Sequence, residues 1–156
     1  MLEILYLDDD CVAINKPPGL LVHRSRIDVH ARTNAVAQLS QQLGQRVFTV
    51  HRLDRPTSGV LIFGLNSEAA HKLTTQFRER TTTKRYLAIV RGWTGGNGVI
   101  DKPLKEETDP LSEPDVDPDK PPQEAVTEFE SLSRCEIPHS AGRYPTSRYS
   151  LLRLHP

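Results

Sequence analysis

The amino-acid sequence predicts an α+β fold, built on a mixed, mainly antiparallel sheet with flanking helices. Short apolar segments rich in β-forming residues recur along the chain, among them 3–7, 11–15 and 84–90. Two other segments, 33–43 and 67–80, carry apolar residues at helical spacing. Strands mixed with occasional helices are typical of this fold class.

The first elements are a hairpin, a rigid turn and a helix. The acidic run Asp8-Asp9-Asp10 separates the strands at 3–7 and 11–15, as a hairpin turn does. Residues 16–19 read Lys-Pro-Pro-Gly, and because proline fixes φ and glycine permits positive φ, they predict a rigid turn. A helix follows over 33–43, and Gly44 is placed to end it.

The remaining elements surround a polar loop at 51–59. Strands are predicted on both sides of it, at 47–50 and 60–65. Ser67 is placed to cap a helix that runs to about residue 80. Three further strands are expected, at 84–90, 125–132 and 147–154.

One segment, at about 106–124, does not fit this pattern. It holds 8 acidic residues and 5 prolines against a single basic residue, Lys120. Such a composition cannot form a periodic apolar face, so we expect an irregular, solvent-exposed insertion. Residues 1–156 are otherwise expected to form one domain.

Charge is distributed unevenly along the chain although the net charge is zero. Residues 1–98 hold 13 Lys and Arg against 8 Asp and Glu, whereas residues 99–156 hold 7 against 12. The basic part is therefore suited to a polyanion, although ordinary scatter of surface charge explains the same asymmetry.

Several function classes find no support. Cys11 and Cys135 form no CxxC pair, and the six histidines show no ligand spacing, so a zinc site is not indicated. No phosphate-binding glycine loop and no GxSxG elbow is present. No apolar stretch approaches the roughly 20 residues that span a bilayer, and the N-terminus does not resemble a signal peptide.

Asp54 is the first candidate for chemistry. It lies among His51, Arg52 and Arg55, and cationic neighbours favour the ionised carboxylate, which can act as a nucleophile or a base. On composition alone, a turn residue that accepts backbone hydrogen bonds is the favoured interpretation. A hydrolase that uses His51 with Asp54 or Ser58 is a further alternative.

Three segments, in order and spacing, resemble the motifs of the RluA-type pseudouridine synthases. They are HRLDRPTSG at 51–59, IxKPPGxxVH from Ile14 to His23, and KRYLA at 84–88. The resemblance implies the pseudouridine synthase fold and the isomerisation of uridine to pseudouridine in RNA, with no cofactor and no metal. It makes Asp54 the catalytic residue.

The same resemblance assigns the substrate-binding residues. Arg52 occupies the space that an extruded base leaves in the RNA, and Tyr86 packs against the uracil, although a half-buried strand tyrosine is the plain alternative. Lys16 either holds the turn at 16–19 or approaches the RNA. The first 25 residues, the acidic insertion and GRYPTSRY at 142–149 further resemble a tRNA-modifying member of the family.

That closer resemblance implies tRNA as the partner and a uridine at the base of its T stem as the target. We expect a cytoplasmic monomer with no membrane contact. Its RNA contacts should come from the basic residues up to 98 and not from the acidic insertion.

In the family, a TGRxHQ(L/I)R-type motif follows the strand that corresponds to 147–154 and supplies an arginine partner for the catalytic Asp. This sequence ends at Pro156, before such a motif, so the resemblance makes residues 1–156 the N-terminal portion of the family's catalytic domain. We therefore expect the 156 residues alone to be inactive, with an exposed apolar edge around Leu151, Leu152 and Leu154. A non-catalytic RNA-binding fragment or pseudoenzyme is the corresponding alternative.

Overall fold

The computed structural model describes residues 1–23, 33–105, 121–140 and 142–156, and these form two compact units. Unit one contains Met1–Thr82, and unit two contains the described residues from Thr83 onward. A four-stranded sheet lies at the centre of each unit. The predicted α+β class is confirmed, and every strand pair among the described residues is antiparallel, so neither sheet is mixed.

Unit one pairs its strands in the order β1-β2-β4-β3 and adds two helices. The strands are β1 Glu3–Leu7, β2 Cys11–Lys16, β3 Phe48–Thr49 and β4 Gly59–Gly64, and the helices are α1 Ala35–Leu43 and α2 Ser67–Arg78. The hairpin predicted across Asp8–Asp10 is confirmed by the antiparallel pairing of β1 with β2. Strand β3 is shorter than predicted.

The core of unit one forms where the two central strands meet. Val12 pairs with Phe63 and Ile14 with Leu61, and all four side chains are fully buried. Residues directly opposite each other in an antiparallel pair share a face, so these side chains build one apolar layer. Helix α2 approaches that sheet so closely at Gly64 that a Cβ there would lie 2.8 Å from the backbone of Ala70.

Asparagines cap both helices of unit one. The Asn34 side chain accepts a hydrogen bond from the Ala37 N–H at 2.9 Å, and the Asn66 side chain accepts one from the Ala69 N–H at 2.8 Å. The prediction that Ser67 caps α2 is therefore wrong by one residue, because Asn66 has the extended backbone that a cap requires. Gly44 ends α1 in the left-handed conformation, as predicted.

Unit two is a sheet with the strand order β5-β8-β7-β6. The strands are β5 Tyr86–Arg91, β6 Asn97–Asp101, β7 Val126–Ile137 and β8 Ser147–His155. Strand β6 was not predicted, because its glycine and polar ends give it no apolar alternation. The Phe129 ring packs closely over Gly98, where a Cβ would lie 2.7 Å from the ring.

The predicted apolar edge at Leu151, Leu152 and Leu154 is wrong. These residues lie on β8, which pairs with β5 on one side and β7 on the other, so its backbone groups are engaged on both sides. Leu152 is 5% exposed.

Most of the predicted insertion at 106–124 lies outside the described residues, which resume at 121. Next to it, Leu104 and Gln123 exchange two backbone hydrogen bonds, of 2.8 and 2.9 Å. In the described part of the chain, no helix is long and apolar enough to cross a membrane.

Candidate active site

The loop that joins β3 to β4 presents Asp54 to solvent. Val50 and Leu53 are buried and anchor the loop, whereas Arg52 and Asp54 are exposed. The Asp54 carbonyl accepts a hydrogen bond from the Thr57 N–H at 3.0 Å, which closes a tight turn. Buried anchors with exposed polar neighbours hold the carboxylate in place while leaving it accessible.

A second segment, the turn after β2, is tied to this loop by backbone hydrogen bonds. The Gly19 N–H donates to the Arg55 carbonyl at 2.7 Å, and Arg55 Nε donates back to the Gly19 carbonyl at 3.1 Å. Gly19 has a φ of 84°, in the left-handed region that favours glycine. The rigid turn predicted at 16–19 therefore supports the loop that carries Asp54.

Lys16 joins the same two segments from inside the protein. Its side chain is fully buried, and Nζ donates to the carbonyls of Pro17 at 3.1 Å, Leu20 at 2.7 Å and Arg55 at 3.2 Å. Of the two roles predicted for Lys16, the structure favours holding the turn, because a fully buried ammonium has no surface to offer RNA.

The charge of Lys16 also acts on the loop. Burial lowers the pKa of its ammonium, and the carboxylate of Asp54 partly opposes that shift by favouring the charged form. The two groups are therefore electrostatically coupled.

His51 is a structural residue of the same loop. Its Nε2 accepts a hydrogen bond from the Ile62 N–H at 3.0 Å, and its ring stacks on Phe77 with a centroid distance of 4.3 Å. Burial lowers the pKa of the imidazole, and a hydrogen bond with the Arg52 backbone acts in the opposite direction. With Nε2 already accepting, His51 is not placed to take a proton from Ser58, which weakens the hydrolase alternative.

The neutral form of His51 should make stability depend on pH. Because the folded-state pKa lies below the ordinary value of 6.5, the unfolded chain binds the proton more readily. The contribution of His51 is present above pH 6.5 and is lost as pH falls from there towards the folded-state pKa. We expect the free energy of unfolding to fall over that window, by at most about 1.4 kcal/mol per pH unit.

Urea titrations at several pH values check this expectation. His51→Gln keeps an acceptor for the Ile62 N–H but cannot titrate, so its stability should vary less with pH than that of the wild type. The matched control is His71→Gln, at an exposed position of α2. An unchanged pH dependence in His51→Gln would contradict the role assigned to His51.

The structure brings two of the three predicted site residues into one loop. Arg52 and Asp54 lie in unit one, whereas Tyr86 begins β5 in unit two. Tyr86 is half-buried and pairs with Leu154, which pairs in turn with Phe129. Sequence reasoning missed the structural role of His51. It also left the role of Lys16 open, although Lys16 follows Val12 and Ile14 at the spacing of one strand face.

A separate groove of about 560 Å³ lies in unit one, near β3 and the two helices. Its described lining includes Arg46, His71 and Thr49 but no residue of the loop at 51–58. The groove therefore does not coincide with the loop that carries Asp54.

Comparison with known families and proteins gives a consistent match. The RNA pseudouridylate synthase family model matches residues 10–156. The chain is 51% identical to tRNA pseudouridine synthase C of Haemophilus influenzae over 156 residues, which cover all of this chain and 65% of that protein. It is also 51% identical to the Pasteurella multocida protein of the same name, over 99% of this chain and 64% of that protein.

The relatives are longer than this chain. A 51% identical relative, tRNA pseudouridine synthase C of Salmonella typhimurium, is covered over 60% of its length. The chain thus spans between 60% and 65% of these three curated relatives.

Solved structures show the same fold. Human RNA Pseudouridylate Synthase Domain Containing 4 matches 99% of this chain with a TM-score of 0.70 and 27% identity, over 58% of its own length. Human RNA Pseudouridylate Synthase Domain Containing 1 matches 99% with a TM-score of 0.69 and 25% identity, over 59% of its length.

Proposed function

Because the chain belongs to the RNA pseudouridylate synthase family, we propose that it carries the catalytic residue, Asp54, of an enzyme that converts uridine to pseudouridine in RNA. The observation that supports Asp54 is its position, exposed on a loop that buried groups pin in place. The family match over 10–156 includes the whole of that loop.

The reaction needs a carboxylate and no external energy source. The bond from C1′ to N1 of the uracil breaks, the base turns within the site, and C1′ joins C5, which loses its proton while N1 gains one. Asp54 can act as a nucleophile at C1′ or C6, or take a ribose proton. Each route requires the uridine to leave its stack, at a cost of roughly a few kcal/mol.

Arg52 and Tyr86 are proposed to bind the substrate. Arg52 is exposed two positions before Asp54, where its flat guanidinium can stack in the space that the uridine vacates and contact phosphate as well. Tyr86 offers an aromatic ring to pack against the uracil. No cofactor or metal has a role in this chemistry.

The substrate is proposed to be tRNA, since the relatives at 51% identity are named tRNA pseudouridine synthase C. The finer proposal is a uridine at the base of the T stem. Because tRNA is found in the cytoplasm, we also propose a cytoplasmic location. We further propose that the protein is a monomer.

A second function, RNA binding without catalysis, is favoured by one observation. The chain spans 60% to 65% of three curated relatives, and the family resemblance places the arginine partner of Asp54 in a motif that follows the strand corresponding to 147–154. We therefore propose that turnover needs that arginine, whereas RNA binding by these 156 residues does not.

One assay separates the two functions. An unmodified tRNA transcript carrying tritium at C5 of uridine releases tritium when C5 bonds to C1′, and no free uracil forms. The chain should be compared with a chimera that continues, after Pro156, with the C-terminal part of the Haemophilus influenzae relative. We expect tritium release by the chimera and little by the chain alone. A chimera that binds tRNA but releases no tritium would favour the non-catalytic function.

A further inference from the structure

One end of the sheet in unit two combines arginines with exposed aromatic rings. Strand β5 ends there at Arg91, β7 ends at Ile137, and β8 begins at Ser147. We call this surface the arginine–tryptophan end and define it by five residues: Trp93, Arg134, Arg143, Tyr144 and Arg148.

Trp93 is held in place but remains open to solvent. Its indole N–H donates to the Cys135 carbonyl at 3.4 Å, and the ring is 51% exposed. The buried Ser150 hydroxyl fixes the surrounding loop, because it donates to the Gly92 carbonyl at 2.9 Å and accepts from the Thr94 N–H at 3.1 Å. Trp93 is therefore an anchored aromatic residue that is half exposed to solvent.

Each of two exposed aromatic rings has an arginine guanidinium lying over it. The Arg148 guanidinium lies 4.2 Å from the Trp93 ring centroid, and the Arg143 guanidinium lies 5.0 Å from that of Tyr144. Arg143 also donates to the Tyr144 hydroxyl at 2.9 Å. Tyr144 is 57% exposed. Paired guanidinium and aromatic planes are the surfaces on which proteins stack nucleic-acid bases.

The charge of this end is positive although residues 99–156 are acidic as a whole. By register, Arg134 and Glu136 on β7 share a face with Arg148 and Ser150 on β8. Glu136 faces the arginines, and hydrogen bonds from Thr146 and Arg148 lower its pKa. Eight of the twelve acidic residues of 99–156 belong to 106–124, so that segment accounts for most of the acidic character of 99–156.

We propose that the arginine–tryptophan end binds RNA, stacking an unpaired base on Trp93 and contacting phosphates through Arg143 and Arg148. This contact is additional to the binding of the uridine that Asp54 converts, and it rests on the proposed function, which supplies RNA as the partner. Bases of single-stranded loops and ends are available for stacking, whereas bases inside a duplex are not. This proposal places an RNA contact in residues 99–156, although the net charge of that part of the sequence is negative.

Trp93 is the single tryptophan of the sequence, so its fluorescence reports on this surface alone. Unmodified tRNA is titrated into the full chain while binding is followed independently by the anisotropy of labelled tRNA. We expect the tryptophan emission to be quenched in step with binding. Trp93→Ala should weaken the affinity by at least about fivefold, the lower end of the effect of losing one stacked base.

A matched pair of arginines on β8 separates RNA contact from folding. Arg148 pairs with Glu136 at 3.2 Å, and Arg153, at the opposite end of the strand, pairs with Glu130 at 2.7 Å. Both arginines are about half exposed, at 54% and 45%. Arg148→Gln should weaken tRNA binding. It should also reduce the slope of log K against the logarithm of the salt concentration by about one, the value for one lost phosphate contact. Arg153→Gln should change neither the affinity nor the slope.

The outcomes distinguish this proposal from the proposed function. If tRNA binds with unchanged Trp93 emission, and Arg148→Gln binds as tightly as Arg153→Gln, the surface is not an RNA contact and the proposed function stands. If neither the chain nor the chimera binds tRNA, both the proposed function and this proposal are wrong. Quenching by tRNA together with the loss in Arg148→Gln supports both.

Discussion

Asp54→Asn is expected to abolish pseudouridine formation while leaving tRNA affinity within about twofold of wild type. The substitution keeps the shape of the side chain but removes its negative charge, so it tests chemistry more than folding. Removing a nucleophile or base that other groups cannot replace lowers turnover by about a thousandfold or more. Asp54 is exposed, so the loss of its charge should leave the free energy of unfolding nearly unchanged.

The assay for this variant is tritium release by the chimera that carries the C-terminal segment, run beside anisotropy measurements of binding. Asp9→Asn is the matched control, since Asp9 is also an exposed turn aspartate and lies in unit one. It should retain full turnover. Turnover of Asp54→Asn within tenfold of wild type would remove Asp54 from the catalytic role.

The first two strands of unit one were predictable because they are short apolar segments, rich in β-forming residues, with a clear turn signal between them. Acidic residues at 8–10 and the prolines at 17 and 18 delimit β2 on both sides. Strand β6 was not predictable, because a strand of Asn97, Gly98 and exposed neighbours is stabilised by its partner and not by its own pattern. Pairing with β7, and the Phe129 ring above Gly98, define it.

The order of strands in unit two was beyond the sequence for a related reason. The family segment expected to cover β8 is not in this sequence, which predicted an exposed edge, yet β8 pairs with both β5 and β7. Local sequence patterns indicate whether a strand is buried, but they do not indicate which strands it pairs with. The prediction for Leu151, Leu152 and Leu154 failed at this point, although their apolar character was correctly interpreted as belonging to a strand.

The candidate site, too, could be predicted from the sequence only in part. The position of Asp54 between two strands follows from the sequence, because a polar segment between apolar strands predicts a loop. What holds the loop does not follow from the loop itself. Its supports are Lys16 and Gly19, which lie more than thirty positions earlier and reach it through side-chain and backbone hydrogen bonds.

Lys16→Met is expected to destabilise the protein and to lower turnover as well. Methionine has a similar length and no branch, so it can fill the buried space, but it cannot donate to the carbonyls of Pro17, Leu20 and Arg55. A buried acceptor left without a donor costs roughly 1–3 kcal/mol. The Arg55 carbonyl keeps its bond from the Gly19 N–H, so the Leu20 carbonyl, with the shortest bond to Nζ, should suffer most.

Two effects of opposite sign set the size of the change. Removing the ammonium relieves the unfavourable burial that lowers its pKa, and this offsets part of the loss. We therefore expect the free energy of unfolding to fall by about 2 kcal/mol and not by the sum over three unpaired carbonyls. Lys72→Met is the matched control, because Lys72 forms an exposed pair with Glu68 at 2.7 Å and exposed pairs contribute little to stability.

The effect on turnover follows from the geometry and separates two roles for Lys16. If Lys16 only stabilises the fold, the surviving folded fraction of Lys16→Met should turn over at the wild-type rate. If it also positions the loop at 51–58, turnover per folded molecule should fall, because a carboxylate displaced by about 1 Å can lose about a hundredfold in rate. We expect the second result, since the Lys16 ammonium binds the Arg55 carbonyl, one residue from Asp54, and is coupled to its charge. Urea titration gives the folded fraction, and tritium release by the chimera gives the rate. A rate per folded molecule equal to wild type would leave Lys16 with a stabilising role alone.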